Sequence, residues 1–414
     1  MGSTMAALPV TDLSDPVMFS NPFPRYAELR RTAPVSRVIH REPRKVEAYM
    51  LTRYEDVQLL HSDARFSSDP FTRGRGAMFT KLLPHMFRLL IDSMVFKDDP
   101  EHKRLRGLVN KAFTPKMVQR MSEDIQVIAD GLLDDLVQQA KRGPVDLVAA
   151  LAVPLPLTVI AAMLGVDDEE RETFKRAVER LTTVAGDSNL VGMIKMLPTG
   201  RRMIRQFERL AEQRRAVPDD RLITGLVQAN EDGDVLSDQE IVAMIFLLLL
   251  AGHDTTSNLI GSSVVTLIEH PDEQQRLRDD PTLVESAVEE LLRFTTPVPC
   301  GATRILRDDV EVAGMTLPKG SGVLGMIISA NRDEDVFPDP ERLDLGRQPN
   351  RHVSFAFGSH FCLGNQLARM EARMALHGLL QRFERIELAV PHEQLEWKST
   401  ESLRGLRRLP LRLS

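Results

Sequence analysis

Eleven consecutive apolar residues, Ile241 to Ala251, run directly into Gly252-His253-Asp254-Thr255-Thr256, and no other stretch limits the possible folds as much. The run is too short to cross a bilayer, which takes about 20 apolar residues in a helix. Ser237 and Glu240 form a capping-box pattern, and Pro271 is the next stop signal, so the spacing predicts one helix over 237–270. At 1.5 Å per residue it covers roughly 50 Å, enough to cross a whole domain with its midpoint buried. The polar break falls at that midpoint. Gly252 loosens the helix there, and a threonine hydroxyl can draw a carbonyl from its usual donor, which opens room for a small molecule. A back-bonded kink with a solvated Asp254 fits the same residues, and the segment alone does not choose.

Only two cysteines occur, so a disulfide framework is excluded. Cys300 has no chemical context and reads as a small buried hydrophobe. Cys362 lies in Phe355-Ala-Phe-Gly-Ser-His-Phe-Cys-Leu-Gly364, between two glycines and just ahead of helical periodicity over 365–383. A helix start stabilises a thiolate, and Gly358 and Gly364 permit tight turns that aim amides at the sulfur. Zinc needs further cysteine or histidine ligands nearby, which are lacking. A Cys-His nucleophile would require His360 to fold back on its own loop. A lone thiolate of this kind suits ferric iron.

Helical periodicity also marks 121–141, 168–183, 203–215 and 281–294, whereas strands are few: 48–52 and a hairpin over 310–317 turning at Ala313-Gly314. There is no repeat or Gly/Ser linker, so the expectation is one mainly helical α+β domain over 22–414, with 1–21 as a poorly ordered extension. Lys and Arg number 53 against 59 Asp and Glu, a net charge of −6, so no global basic surface argues for nucleic acid. The N-terminus has neither a cationic start nor an apolar core, so no secretory signal or membrane anchor is expected, and the location is expected to be cytoplasmic.

The cysteine segment resembles the haem-binding loop of bacterial cytochromes P450, Phe-x-x-Gly-x-x-x-Cys-x-Gly, at Phe355, Gly358, Cys362 and Gly364. Glu290-Leu-Leu-Arg293 is similar to the family's Glu-x-x-Arg pair, and i,i+3 spacing puts both on one helix face. The resemblance covers about residues 22–411 and implies the P450 fold, a helix-rich triangular body with a smaller β-rich region, haem lying between the long central helix and the helix after the cysteine.

It further implies haem b ligated by Cys362, whose electron push favours O–O cleavage. Propionates would meet His102, Arg106, Arg304 and His360, with Ala251, Phe355 and Gly364 also at the cofactor. Asp254 and Thr255 would be the acid and alcohol that deliver protons to oxygen. Arg342, in Phe337-Pro-Asp-Pro-Glu-Arg342, would join the clamp of Glu290 and Arg293. The implied activity is a monooxygenase that hydroxylates or epoxidises a lipophilic substrate such as a fatty acid, terpenoid, steroid or macrolide. Its pocket would include Met86, Phe87, Met94, Leu247, Leu248 and Val298, with Arg73, Arg75 and Lys81 able to meet a carboxylate. O2 is the co-substrate, and NAD(P)H electrons would arrive through a ferredoxin or flavodoxin and its reductase, docking on Lys103, Arg104, Lys111, Lys116, Arg369 and Arg373. A monomer is expected. A fatty-acid peroxygenase, which carries an arginine-proline pair where this chain has Asp254-Thr255, and a non-catalytic haem sensor are the alternatives.

Overall fold

The structure is a computed structural model describing residues 8–40, 46–69, 83–113, 115–166, 174, 176–178, 190–231, 233–398 and 401–414. Most of the helix expected over 168–183, the residues Arg73, Arg75 and Lys81, and the Lys116 side chain lie outside them. Where the sequence suggests one domain, the chain resolves into two compact units.

The first unit takes residues up to Ser67, 127–156 and 254–414. Its main sheet has six strands in the order Val10–Asp12, Val35–His40, Val46–Leu51, Gly322–Gly325, Arg304–Leu306 and Phe66–Ser67. Val10–Asp12 pairs in parallel with Val35–His40, so the extension expected to be poorly ordered is folded from residue 8 onward. The reason is burial: Thr11 and Leu13 are both 4 % exposed, and Leu13 packs with Tyr26, Leu29 and Met50. The 310–317 hairpin turns where expected, with φ of 48° at Ala313 and 75° at Gly314, the left-handed pair that a two-residue hairpin requires. Three elements carry the candidate site: the helix Val284–Thr295, the loop 350–364 and the helix Asn365–Arg382.

The second unit takes 68–126 and 157–253 and is almost wholly helical. Its core joins Phe174, Phe207 and Phe246 edge to face. Gly225 lets the helix Leu222–Gln228 approach Glu101–Ala112 closely, since a Cβ there would lie 2.9 Å from the Ala112 carbonyl.

The central helix runs Asp238–Glu269, within one residue of expectation at each end. Ser237 and Glu240 form the reciprocal capping box: Ser237 N donates to Glu240 Oε2 at 2.7 Å, and Glu240 N donates to Ser237 Oγ at 3.3 Å. Among the described residues it is the one helix long and apolar enough to cross a membrane. The stretches on either side of its middle, residues 241–246 and 256–265, are buried in protein, however. Its middle is not: Leu247, Leu248, Leu250, Gly252, Asp254 and Thr255 are half-buried and Ala251 is exposed.

Candidate functional site

The cysteine loop is held by its own backbone and by charges beneath it. Cys362 N donates to Phe355 O at 2.9 Å, which closes the loop, and Asn365 Nδ2 donates to Cys362 O at 2.8 Å. Ala356 and Gly358 take φ of 61° and 71°, so two left-handed residues shape the approach to the sulfur. At Gly358 the glycine is doubly required, because a Cβ would lie 2.5 Å from His61 O. Gly364 differs from expectation: its φ is −81° and the space around it is open, so no tight turn depends on its being glycine. Cys362 is half-buried, whereas Cys300 is 4 % exposed and burial pushes its thiol up to about 12. The two cysteines therefore separate into an accessible one on a constrained loop and an inert one in the core.

Glu290 and Arg293 are fully buried and form a saturated clamp. Arg293 Nε and Nη2 donate to Glu290 Oε2 and Oε1, both at 2.8 Å. Its remaining donors reach Asn331 O at 2.9 Å, Pro340 O at 3.0 Å and Arg342 O at 3.4 Å, so all five guanidinium N–H groups are used. Arg342 thus joins through its carbonyl, while the guanidinium that reaches Glu290 Oε1, at 3.0 Å, belongs to Arg347. Asn350 and the Asp344 amide complete the carboxylate. Asn331 ties the clamp to the cysteine loop, donating to Thr296 Oγ1 and Ser354 Oγ and accepting from Val353 N.

A second network, unforeseen in the sequence, lies one residue earlier. Glu289 accepts from Arg369 Nε and Nη2 at 2.6 and 2.8 Å and from His352 Nε2 at 3.0 Å. Burial works to raise its carboxyl, but the hydrogen bonds from Arg369 and His352 and their charges prevail and hold it at about 2. Arg369 also stacks on the Phe355 ring, 4.5 Å from its centroid, so Phe355 lies against the helix that follows the cysteine. The doubled glutamate at 289–290 was the only sequence sign of this network.

On the central helix, His253 is buried and its Nδ1 donates to Leu249 O at 2.8 Å, in keeping with a helix-bound histidine and not a metal ligand. Asp254 accepts from Lys398 Nζ at 3.1 Å, both side chains being about a quarter exposed. Lys398 stands on the C-terminal segment that docks one turn further along: a Cβ on Gly405 would lie 2.1 Å from Asn258 Oδ1. Thr255, beside Asp254, is half-buried. Arg304 is 7 % exposed on its strand, His360 lies in the short turn Gly358–His360, and Val298 is half-buried.

In the second unit, His102 is 2 % exposed, with Nδ1 3.4 Å from Asp99, and Arg106 follows one turn later, half-buried. Met86, Phe87 and Met94 fall on the short helices 85–91 and 94–96; Met86 and Met94 are buried and Phe87 half-buried. Met86 is wedged against Gly200, where a Cβ would lie 2.1 Å from its sulfur, so it has a packing duty of its own. Of the expected docking residues, Lys103 is exposed, but Arg104 pairs with Glu101, Asp234 and Glu240, and in the first unit Arg369 and Arg373 pair with Glu289 and Glu285.

A family description, Cytochrome P450, matches residues 47–411. The chain is 39% identical over 393 residues to Cytochrome P450 107B1 of Saccharopolyspora erythraea, covering 94% of each. It is 37% identical over 401 residues to the polyketide biosynthesis cytochrome P450 PksS of Bacillus subtilis, covering 95% of this chain and 96% of the other. The solved structure of PksS superposes with a TM-score of 0.87, covering 97% of this chain and 99% of that one. The mycinamicin IV hydroxylase/epoxidase of Micromonospora griseorubida is 39% identical over 390 residues, covering 94% of each. The fold is thus that of a haem-thiolate oxidoreductase, and the chain belongs to the cytochrome P450 family. It is accordingly a P450 monooxygenase, of a family that uses haem and O2.

The residues present fit haem. Among the described residues no group of three or more histidine, cysteine or carboxylate side chains is placed to hold a metal ion, and half-buried Cys362 on its constrained loop is the residue that would ligate haem iron. The partly exposed apolar residues at the middle of the central helix suit contact with a macrocycle, and in the first unit buried Arg304 suits a carboxylate.

Proposed function

We propose that this P450 hydroxylates or epoxidises a bulky lipophilic substrate of the macrolide, steroid or terpenoid kind, with Cys362 as iron ligand and Asp254 and Thr255 as the proton-delivering pair. One observation carries the reading: half-buried Leu247 and Leu248 and exposed Ala251 stand directly ahead of that acid and alcohol on one helix. When bound, haem supplies the iron at which O2 is activated and one oxygen atom is transferred. The protein's residues do the rest. The loop from Phe355 to Cys362 fixes the sulfur, and the Glu290 and Glu289 networks keep that loop from moving.

Asp254 takes a proton from solvent by exchanging its partly exposed Lys398 contact and passes it through the Thr255 hydroxyl. His102, Arg106, Arg304 and His360 anchor the propionates. Leu247, Leu248, Val298 and Phe87 offer apolar contact that orients substrate without a fixed charge, so proximity and not acid-base chemistry at carbon selects the product. Relatives named for polyketide biosynthesis and for mycinamicin IV support the larger end of the substrate range. Electrons come from a ferredoxin or flavodoxin reduced by NAD(P)H.

The test is a spin-shift titration of the holoenzyme with a macrolide, a steroid, a terpenoid and a fatty acid, followed by product analysis with surrogate reductases. Tight, productive binding of the fatty acid alone would overturn the substrate reading. A histidine-like reduced carbon monoxide spectrum, or a thiolate spectrum surviving in Cys362→Ser, would overturn the ligand assignment.

A further inference from the structure

The sequence resemblance assigns four side chains to the haem propionates, and His61 is not one of them. It stands on the last turn of the helix Tyr54–Ser62 and is 8 % exposed. Neither ring nitrogen has a hydrogen-bond partner among the described residues. Burial first, and then the charge of Arg304, push its imidazole down to about 4, so near neutral pH the ring carries one N–H donor and one lone pair.

Its surroundings lie at the cysteine loop. His61 O is the atom that excludes a Cβ from Gly358, at 2.5 Å, and Gly358 opens the turn that ends at His360. On the other side the ring edge packs on Gly301, with Cε1 and Nε2 at 3.5 and 4.0 Å from where a Cβ would sit, three residues before Arg304. A buried ring with both nitrogens unused is uncommon, because buried polar groups are nearly always paired. A neutral N–H beside a guanidinium repels a cationic ligand and suits an oxygen anion, which can accept from both.

We propose that His61 is a further haem-anchoring residue, donating a hydrogen bond to the propionate that Arg304 engages. The lone pair left on its other nitrogen suits an ordered water. His61 thus helps position the macrocycle from the same side as the turn that leads to Cys362. The inference rests on the haem reading above, and the reduced carbon monoxide spectrum of the wild-type protein checks that reading separately.

The experiment follows haem transfer from the holoenzyme to excess apomyoglobin and the haem midpoint potential, for wild type, His61→Leu and His61→Gln. The leucine variant keeps the bulk and loses the donor, and the glutamine variant keeps a donor. Haem transfer is expected to accelerate about tenfold or more in His61→Leu, the factor that one charge-assisted hydrogen bond carries, and to stay within about threefold of wild type in His61→Gln. The midpoint potential is expected to move in the leucine variant and to be restored by glutamine. Unchanged transfer and potential in His61→Leu would mean that only water meets the ring, and would overturn the proposal. Equal acceleration in both variants would reduce His61 to a packing residue and overturn it as well.

Discussion

Two charged regions of the first unit are built in opposite ways. Beneath the cysteine loop, Glu290 and Arg293 are fully buried and every guanidinium donor is matched. On the central helix, Asp254 meets the Lys398 ammonium, and both side chains remain about a quarter exposed. A buried charge with all its partners has nowhere to move, whereas an exposed pair is worth at most about 1 kcal/mol and exchanges readily. The contrast gives rigidity to the residues behind the sulfur and room for exchange to the residues proposed to deliver protons.

The largest expected effect tests the rigid side. Glu290→Gln leaves buried Arg293 and its partly exposed neighbour Arg347 without a full counter-charge and is expected to cost about 3–5 kcal/mol, seen as loss of haem-loaded protein or as denaturant unfolding. A cost below 1 kcal/mol would erase the distinction between the two regions.

Glu289→Ala is expected to cost about 2 kcal/mol, since the network is partly solvated but removes partners from both Arg369 and His352. It also carries a pH signature. Because the folded carboxyl is held at about 2, below its usual 4.5, its contribution is fully present above pH 4.5 and is lost as pH falls from there toward 2. Unfolding measured across that window should show a shallower acid slope in Glu289→Ala, and an unaltered slope would detach this carboxylate from the loop's stability.

On the exchanging side, Thr255→Ala is expected to leave the fold intact while product formed per NAD(P)H falls about tenfold and peroxide rises, the mark of a misdirected proton. An unchanged product ratio would deny Thr255 its role. Lys398→Met should be the mildest, with at most about 0.5 kcal/mol of stability and a turnover change within about threefold. A loss on the scale of Glu290→Gln would show that the Asp254 pair is a fixed structural bond, and the comparison would fail.

Much of this was legible in the chain because it is local. The capping box at Ser237, the Glu290 and Arg293 spacing and the left-handed turn at Ala313-Gly314 all follow from geometry within a few residues. The polar segment of the central helix was equally visible, since eleven apolar residues give way to Gly-His-Asp-Thr, but the helix runs through it without interruption. By contrast, Arg342 and Arg347 are the same residue type five positions apart, and periodicity cannot say which one meets Glu290. The turn at Asp344–Arg347 chose Arg347.

The sequence by itself determined the class of protein and the helix that carries Asp254 and Thr255, because each depends on short-range backbone sterics or on a motif read in order. Tertiary structure decided which distant charges meet: Arg369 with Glu289 across 80 residues, Lys398 with Asp254 across 144, and His61 beside Arg304 and the cysteine loop. Such pairings depend on how strands and helices are brought together by burial. A charge's nearest partner in space leaves no periodic trace along the chain, so only the folded structure reveals it.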